Sequence, residues 1–175
     1  MSILVYVIGV LGMVSLVVLF AVKQRMKAAE KQKYFRAAQR IIREQHLDGA
    51  IRNADRDGSF YEERRIMLIL KIKGSKGLGY VFDPSRDVQI GRSTEGNDVC
   101  VQDLSVSSKH CKIFLYEGQL CIKDLDSTNG TVIKPRWRKK ERLFGTIGFL
   151  YNKTRIWAGD ICFVVSVFYC DAASD

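Results

Sequence analysis

The sequence predicts an all-β sandwich preceded by one transmembrane helix and a basic juxtamembrane helix. Three observations carry that reading. From Ile66 onward, short apolar or alternating runs recur between polar and glycine-bearing turns, the pattern of a two-sheet antiparallel domain. Ahead of them, Ile3 to Val22 is a run of twenty residues without a charge. At about 1.5 Å rise per residue, such a run crosses the roughly 30 Å hydrocarbon core of a bilayer as one helix. Between the two, residues 23–46 carry eight basic side chains against Glu30 and Glu44, a net +6 within the +9 of the whole chain.

The apolar run reads as a span, not a cleaved leader. No cation precedes it, it is longer than a leader's apolar core, and no small-residue cleavage site follows it. Lys23, Arg25 and Lys27 follow directly, whereas only Met1 and Ser2 precede. The positive-inside rule then predicts a cell-membrane protein with its N-terminus outside and its C-terminal portion in the cytoplasm. Gly9 and Gly12 lack the G-x-x-x-G spacing of a dimer contact. Residues 23–46 read as a helix, with Tyr34, Ala38 and Ile41 in one apolar row and Phe35 and Ile42 beside it. Its cations lead us to expect contact with anionic lipid headgroups, at about 1 kcal/mol each. Asp48-Gly49 offers a helix stop, and residues 47–60, with mixed charge and no apolar period, read as a polar linker. The expected organisation is a transmembrane helix at 1–22, a basic helix and linker at 23–60, and a cytoplasmic domain at 61–175.

Within that domain, Ile66 to Leu70 is a continuous apolar run fit for a buried strand, Gly74 to Gly77 supplies a turn, and Leu78, Tyr80 and Phe82 alternate. Strand signals recur at Val88–Ile90, Val99–Val101, Lys112–Tyr116, Leu120–Lys123, Thr131–Ile133 and Ile161–Tyr169. With 47% hydrophobic residues in 175, the chain can bury one core and leave a separate segment. The five cysteines, 100, 111, 121, 162 and 170, contain no C-x-x-C pair and are odd in number, which argues against a zinc site and a disulfide framework. Most lie in apolar runs as small buried hydrophobes, and a reducing compartment follows.

Three polar clusters fall at the ends of these runs, where loops are expected: Gly91-Arg92-Ser93, Ser107-Ser108-Lys109-His110 and Ser127-Thr128-Asn129-Gly130-Thr131. They contain no nucleophile–base pairing and so suggest binding. A guanidinium gives planar, permanently charged donors for phosphate oxygens, while hydroxyls and an amide serve the remaining oxygens and a peptide backbone. That inventory fits a phosphorylated peptide. Taken singly, each cluster is ordinary, since Asn-Gly is a common hairpin turn in any β protein. Together and in order they read as functional at Arg92, Ser107, Thr128 and Asn129. His110, beside apolar Cys111 and Ile113, reads as a buried histidine held by backbone hydrogen bonds.

Gly91-Arg92, Ser107-x-x-His110 and Thr128-Asn129-Gly130-Thr131 resemble the three signature blocks of the forkhead-associated (FHA) domain, a phosphothreonine-binding β-sandwich. Asn97-Asp98-Val99 adds to the likeness, which covers roughly residues 66–170. The resemblance implies that Arg92, Ser107 and Thr128 contact phosphate, with Ser108 adding a further contact, and that Asn129 holds the peptide main chain. Gly91, His110 and Gly130 would be structural. The layout as a whole resembles small single-pass FHA proteins of Gram-positive bacteria found beside cell-wall and division machinery.

The connection from Ile133 to Trp157 is longer than the resemblance leads one to expect, and residues 134–156 read as a basic insertion. Six cations against Glu141 surround Trp137, a net +5, and Leu143 to Tyr151 is strand-like. Basic residues with an aromatic can mark a nucleic-acid surface and equally a solvated hairpin or a membrane-facing patch; a membrane-anchored domain makes lipid or a membrane partner the better expectation, and no nucleic acid is expected. An enzyme is disfavoured: the sequence has no metal-ligand cluster, no phosphate-cradling glycine loop and only two histidines, so no cofactor or metal is expected. The resulting expectation is a module that recruits threonine-phosphorylated partners in Ser/Thr-kinase signalling. The alternative is a membrane scaffold binding unphosphorylated partners through the same fold. Residues 1–93 contain no threonine, so the expected ligand belongs to another protein molecule.

Overall fold

The computed structural model of the protein describes residues 2–52, 65–77 and 79–170; within its helix, side chains are described from Val7 to Gln45 apart from Gly9. Helix α1 spans Ser2–Arg52. Over its first part the apolar side chains are exposed, Leu11 by 63%, Leu16 by 66% and Phe20 by 64%. Among the described residues no helix is long and apolar enough to cross a membrane. The run that the sequence reads as a span begins outside the described side chains. The helix does not stop at Asp48-Gly49 but continues to Arg52. One interior glycine costs only about 1 kcal/mol, which does not end a helix of this length. Of the polar linker expected at 47–60, residues 53–60 lie outside the described residues.

Eleven strands follow among the described residues: β1 Arg65–Ile72, β2 Tyr80–Phe82, β3 Val88–Gly91, β4 Val99–Cys100, β5 Cys111–Tyr116, β6 Gln119–Asp124, β7 Thr131–Lys134, β8 Glu141–Leu143, β9 Ile147–Phe149, β10 Arg155–Ala158 and β11 Ile161–Cys170. They form a six-stranded sheet, β2-β1-β11-β10-β7-β8, and a five-stranded sheet, β4-β3-β5-β6-β9. The pairings are antiparallel except β3 with β4. Alternation builds the core between the sheets. Leu68 and Leu70 of β1 and Phe163 and Val165 of β11 enter it from one sheet, with Ile90, Ile113, Ile122, Ile133 and Ile156. All five cysteines are free, and Cys111, Cys121 and Cys170 are buried.

From Ala38 onward the helix belongs to the same compact unit as the sandwich. Ala38 and Ile42 are fully buried against Met67 and Cys170, with Ile41, Val81 and Phe168 packed around them. Arg65 adds hydrogen bonds to Gln45 at 2.8 Å and Asp83 at 3.3 Å. The apolar face at Ala38 and Ile42 therefore packs on the sheet. Met67, Phe168 and Cys170 make one patch of the six-stranded sheet's outer side apolar, and burying an isoleucine there contributes about 1.5–3 kcal/mol.

The stretch expected as an insertion is part of the sandwich. Strand β8 extends the six-stranded sheet by pairing with β7, and β9 extends the other by pairing with β6. Leu143 and Leu150 enter the core.

Candidate functional site

Loops after β3, before β5 and between β6 and β7 meet at one end of the sandwich. The Arg92 amide donates to the Ser107 carbonyl at 2.9 Å, and the Ser93 amide to the Ser108 carbonyl at 3.2 Å. The Asn97 amide nitrogen bridges the Ser93 and Ser108 carbonyls at 2.9 and 2.7 Å, fastening the first cluster to the second. Gly91 is required at this crossing, because a Cβ there would overlap the Ser108 carbonyl oxygen and come within 2.8 Å of the Asn97 amide.

The second and third clusters are joined at Ser107. Its hydroxyl accepts from the Thr128 amide at 3.0 Å and donates to the Thr128 hydroxyl at 3.3 Å. The Asn129 amide nitrogen donates to the Ser105 carbonyl at 3.0 Å. Ser105 in turn accepts from the Asp160 amide at 2.9 Å and donates to Asp103 at 2.5 Å, which ties this loop to the β10–β11 turn. Arg92 is exposed, and its Nε donates to the Val106 carbonyl at 3.1 Å. That bond fixes the guanidinium and leaves its terminal nitrogens available. Arg92 stands beside a cleft of about 370 Å³ lined also by Ser93, Thr94, Gln102, Asp103 and Leu104. Thr128, Asn129 and Ser108 are exposed and Ser107 half-buried, so four polar side chains and one guanidinium face solvent from three converging loops.

Beneath this surface two buried groups hold the loops. His110 is fully buried, and its Nδ1 accepts from the Ser107 amide at 3.2 Å. Burial pushes its pKa below the ordinary 6.5, against the opposing pull of Asp124 and the Gly130 backbone. A neutral ring accepting at Nδ1 suits that bond. Asp124 is also fully buried. Its oxygens accept from the hydroxyls of Ser127 and Thr131, both at 2.6 Å, and from the amides of Ser127 and Gly145, both at 3.1 Å. Burial pushes its carboxyl up, but these hydrogen bonds together outweigh that and hold its pKa below the ordinary 3.8. Gly130, at φ +70°, turns the chain from this network into β7, and Phe144 closes over it so tightly that a Cβ would lie 2.8 Å from the ring.

The structure thus brings Arg92, Ser107, Ser108, Thr128 and Asn129 to one surface and places Gly91, His110 and Gly130 beneath or between them. Sequence reasoning missed Asp124 and Ser105, whose roles are to hold loops. A signal for Asp124 was present: an Asp three residues ahead of a Ser at the start of a polar turn is a common carboxylate-capped turn.

A family model described as the FHA domain matches residues 88–160, from β3 to the turn before β11. An FHA domain-containing protein of Arabidopsis thaliana is 33% identical over 63 residues, a match covering 35% of this chain and 16% of that protein's length. Among solved structures, the FHA domain of an Arabidopsis thaliana hypothetical protein superposes with a TM-score of 0.51 at 23% identity, covering 69% of this chain and 98% of that one. Mycobacterium tuberculosis EmbR, in complex with a low-affinity phosphopeptide, superposes with a TM-score of 0.50 at 21% identity, covering 75% of this chain and 31% of that one. At these identities the structural likeness speaks to the fold, and the family match falls on the strands and loops that build the site. Over residues 88–160 this chain is similar to the FHA domain.

Proposed function

We propose that this chain is a membrane-anchored phosphothreonine-peptide-binding module that recruits phosphorylated partners in Ser/Thr-kinase signalling. The observation that carries the binding part is the convergence of Arg92, Ser107, Thr128 and Asn129 on one exposed surface over a buried, hydrogen-bonded foundation. A phosphothreonine brings a charge of about −1.5 to −2 and three acceptor oxygens. Arg92 supplies charge-assisted donors, Ser107, Ser108 and Thr128 supply hydroxyls, and Asn129 serves the peptide backbone. The phosphopeptide bound to EmbR fits the same reading. Peptide titration followed by amide NMR on the full chain in micelles tests it. Shifts should concentrate at Arg92, Ser107, Thr128 and Asn129; shifts confined to β8 and β9 would relocate the site.

The membrane part rests on the uncharged run of twenty residues and on its exposed apolar side chains, since an unpartnered helix that is apolar all round is stable in lipid and not in water. Headgroup contact is proposed for the basic residues ahead of Ala38, where Lys23 to Arg36 carry most of the helix's charge. An impermeant probe should label an N-terminal epitope on intact cells and a C-terminal epitope only after permeabilisation. The reverse pattern would overturn both the topology and the access to kinase products.

The ligand is proposed to come from a different molecule. No threonine lies in residues 1–93. Thr154 is fully buried and accepts from the Tyr151 amide at 3.1 Å, which closes it to a kinase and leaves Thr146 as the exposed threonine of the 134–156 stretch. After incubation with a threonine kinase, the chain in micelles should keep its size by light scattering. Kinase-dependent self-association abolished by Thr146→Ala would refute this.

A further inference from the structure

We propose that the outer side of the six-stranded sheet carries a second anion site, separate from the Arg92 surface, that takes a ligand with two or more clustered phosphate groups. A cleft of about 430 Å³ is lined by Lys73, Lys134, Arg136, Lys153 and Arg155, with Pro135 and Val164 completing its wall. No acidic side chain lines it.

Strand register makes this arrangement informative. Arg155 lies directly opposite Lys134 in the β7–β10 pair, and like charges in that position oppose pairing. Arg155 is also in register with Val164 on its other side, so the cations border an apolar strip of β11. Lys73 reaches the same strip, its amide donating to the Cys162 carbonyl at 2.8 Å. The field is felt there: burial pushes the Cys162 thiol up, and Lys73, Arg155 and Lys140 all pull it the other way. Arg136 of the lining and two cations beside the cleft lie over aromatic rings. Arg136 lies over Trp137 at 4.7 Å, Arg138 over Tyr151 at 5.8 Å and Lys140 over Trp157 at 4.5 Å, which braces the segment that forms the cleft's rim. Trp137 itself is 85% exposed.

A sheet that sets cations opposite one another around a concavity is relieved when an anion enters. A single phosphate, at about −2, offsets at most two of the five charges, whereas two or three linked phosphates match the set. The cleft lies at the Lys134 end of β7, away from Thr131 and the Gly130 turn at the other end, so one site can be altered without the other. A phospholipid headgroup bearing two phosphates and a free polyphosphorylated molecule share this chemistry.

The test uses the full chain in phosphatidylcholine nanodiscs, titrated calorimetrically with tripolyphosphate and with orthophosphate. Charge-assisted bonds to several phosphates should make tripolyphosphate bind at least about tenfold more tightly than orthophosphate. The double variant Lys134→Gln/Arg155→Gln should lose that binding, keep phosphothreonine-peptide binding, and melt at a higher temperature than the parent in low salt without ligand. Arg92→Ala should leave tripolyphosphate binding intact. Repeating the titration in discs doped with a two-phosphate phospholipid identifies the source: weakened tripolyphosphate binding indicates the headgroup, unchanged binding a free ligand. Equal affinity for the two phosphates, or loss through Arg92→Ala and not through the double variant, would overturn the proposal. So would tighter binding of a mixed-sequence oligonucleotide than of tripolyphosphate through the same cations, which would make the face a nucleic-acid surface.

Discussion

Replacing Arg92 with alanine should weaken phosphothreonine-peptide binding by at least about tenfold while leaving the fold intact, because charge-assisted hydrogen bonds contribute roughly 1.5–3 kcal/mol and tenfold corresponds to about 1.4. The fold survives because Arg92 is exposed and its side chain makes one internal bond, from Nε to the Val106 carbonyl. Its backbone amide, which ties the loop to Ser107, is unaffected by the substitution. Circular dichroism and a calorimetric titration check both halves. An unchanged affinity in a folded variant would remove Arg92 from the phosphate site.

The second large effect belongs to Asp124. Substitution by alanine strands two buried hydroxyls and two amides, so a stability loss of about 3–5 kcal/mol is expected, in the range for breaking a buried charged network. Peptide binding should fall with it, since Ser127 leads directly into Thr128 and Asn129. Denaturant unfolding measures the loss, and a change under about 1 kcal/mol would contradict the network's role. The same groups set an acid profile. His110 and Asp124 both have folded pKa values below their ordinary ones, so the folded state holds fewer protons than the unfolded chain. The stability from His110 is complete above 6.5 and is lost as pH falls through its lower folded value; that from Asp124 is complete above 3.8 and is lost below it. Asp124→Asn should therefore flatten the lower window and, by removing the charge that raises His110, extend the upper one to lower pH.

Much of this was legible in the sequence because it rests on period and on local turn chemistry. The apolar or alternating runs of β1, β3, β5, β6 and β11 announce strands, and polar clusters at their ends announce the loops of the site. Leu143 to Tyr151 read as strand-like, but β8 and β9 are three residues each and β10 is four, too short for a period to mark their bounds or their sheets. What the sequence did not show is that Leu143 and Leu150 of the 134–156 stretch enter the core. Ala38 and Ile42 were visible as an apolar face, but what covers an amphipathic face is a tertiary fact. Nothing local to Met67 or Cys170, some 25 and 128 residues farther along the chain, announces the contact. Asp124 shows the same limit: its partners Ser127 and Thr131 are near in sequence, but Gly145 is brought to it only by the closing of β7 on β8.

The most direct measurement of the central claim is the affinity of the full chain in micelles for one threonine-containing peptide in phosphorylated and unphosphorylated forms. Saturable binding of the phosphorylated form, with the unphosphorylated twin at least about a hundredfold weaker, is the predicted result, since losing the phosphate removes two or more charge-assisted bonds. Equal affinity for the two forms would contradict it and make the chain a scaffold that uses the FHA fold without reading phosphate.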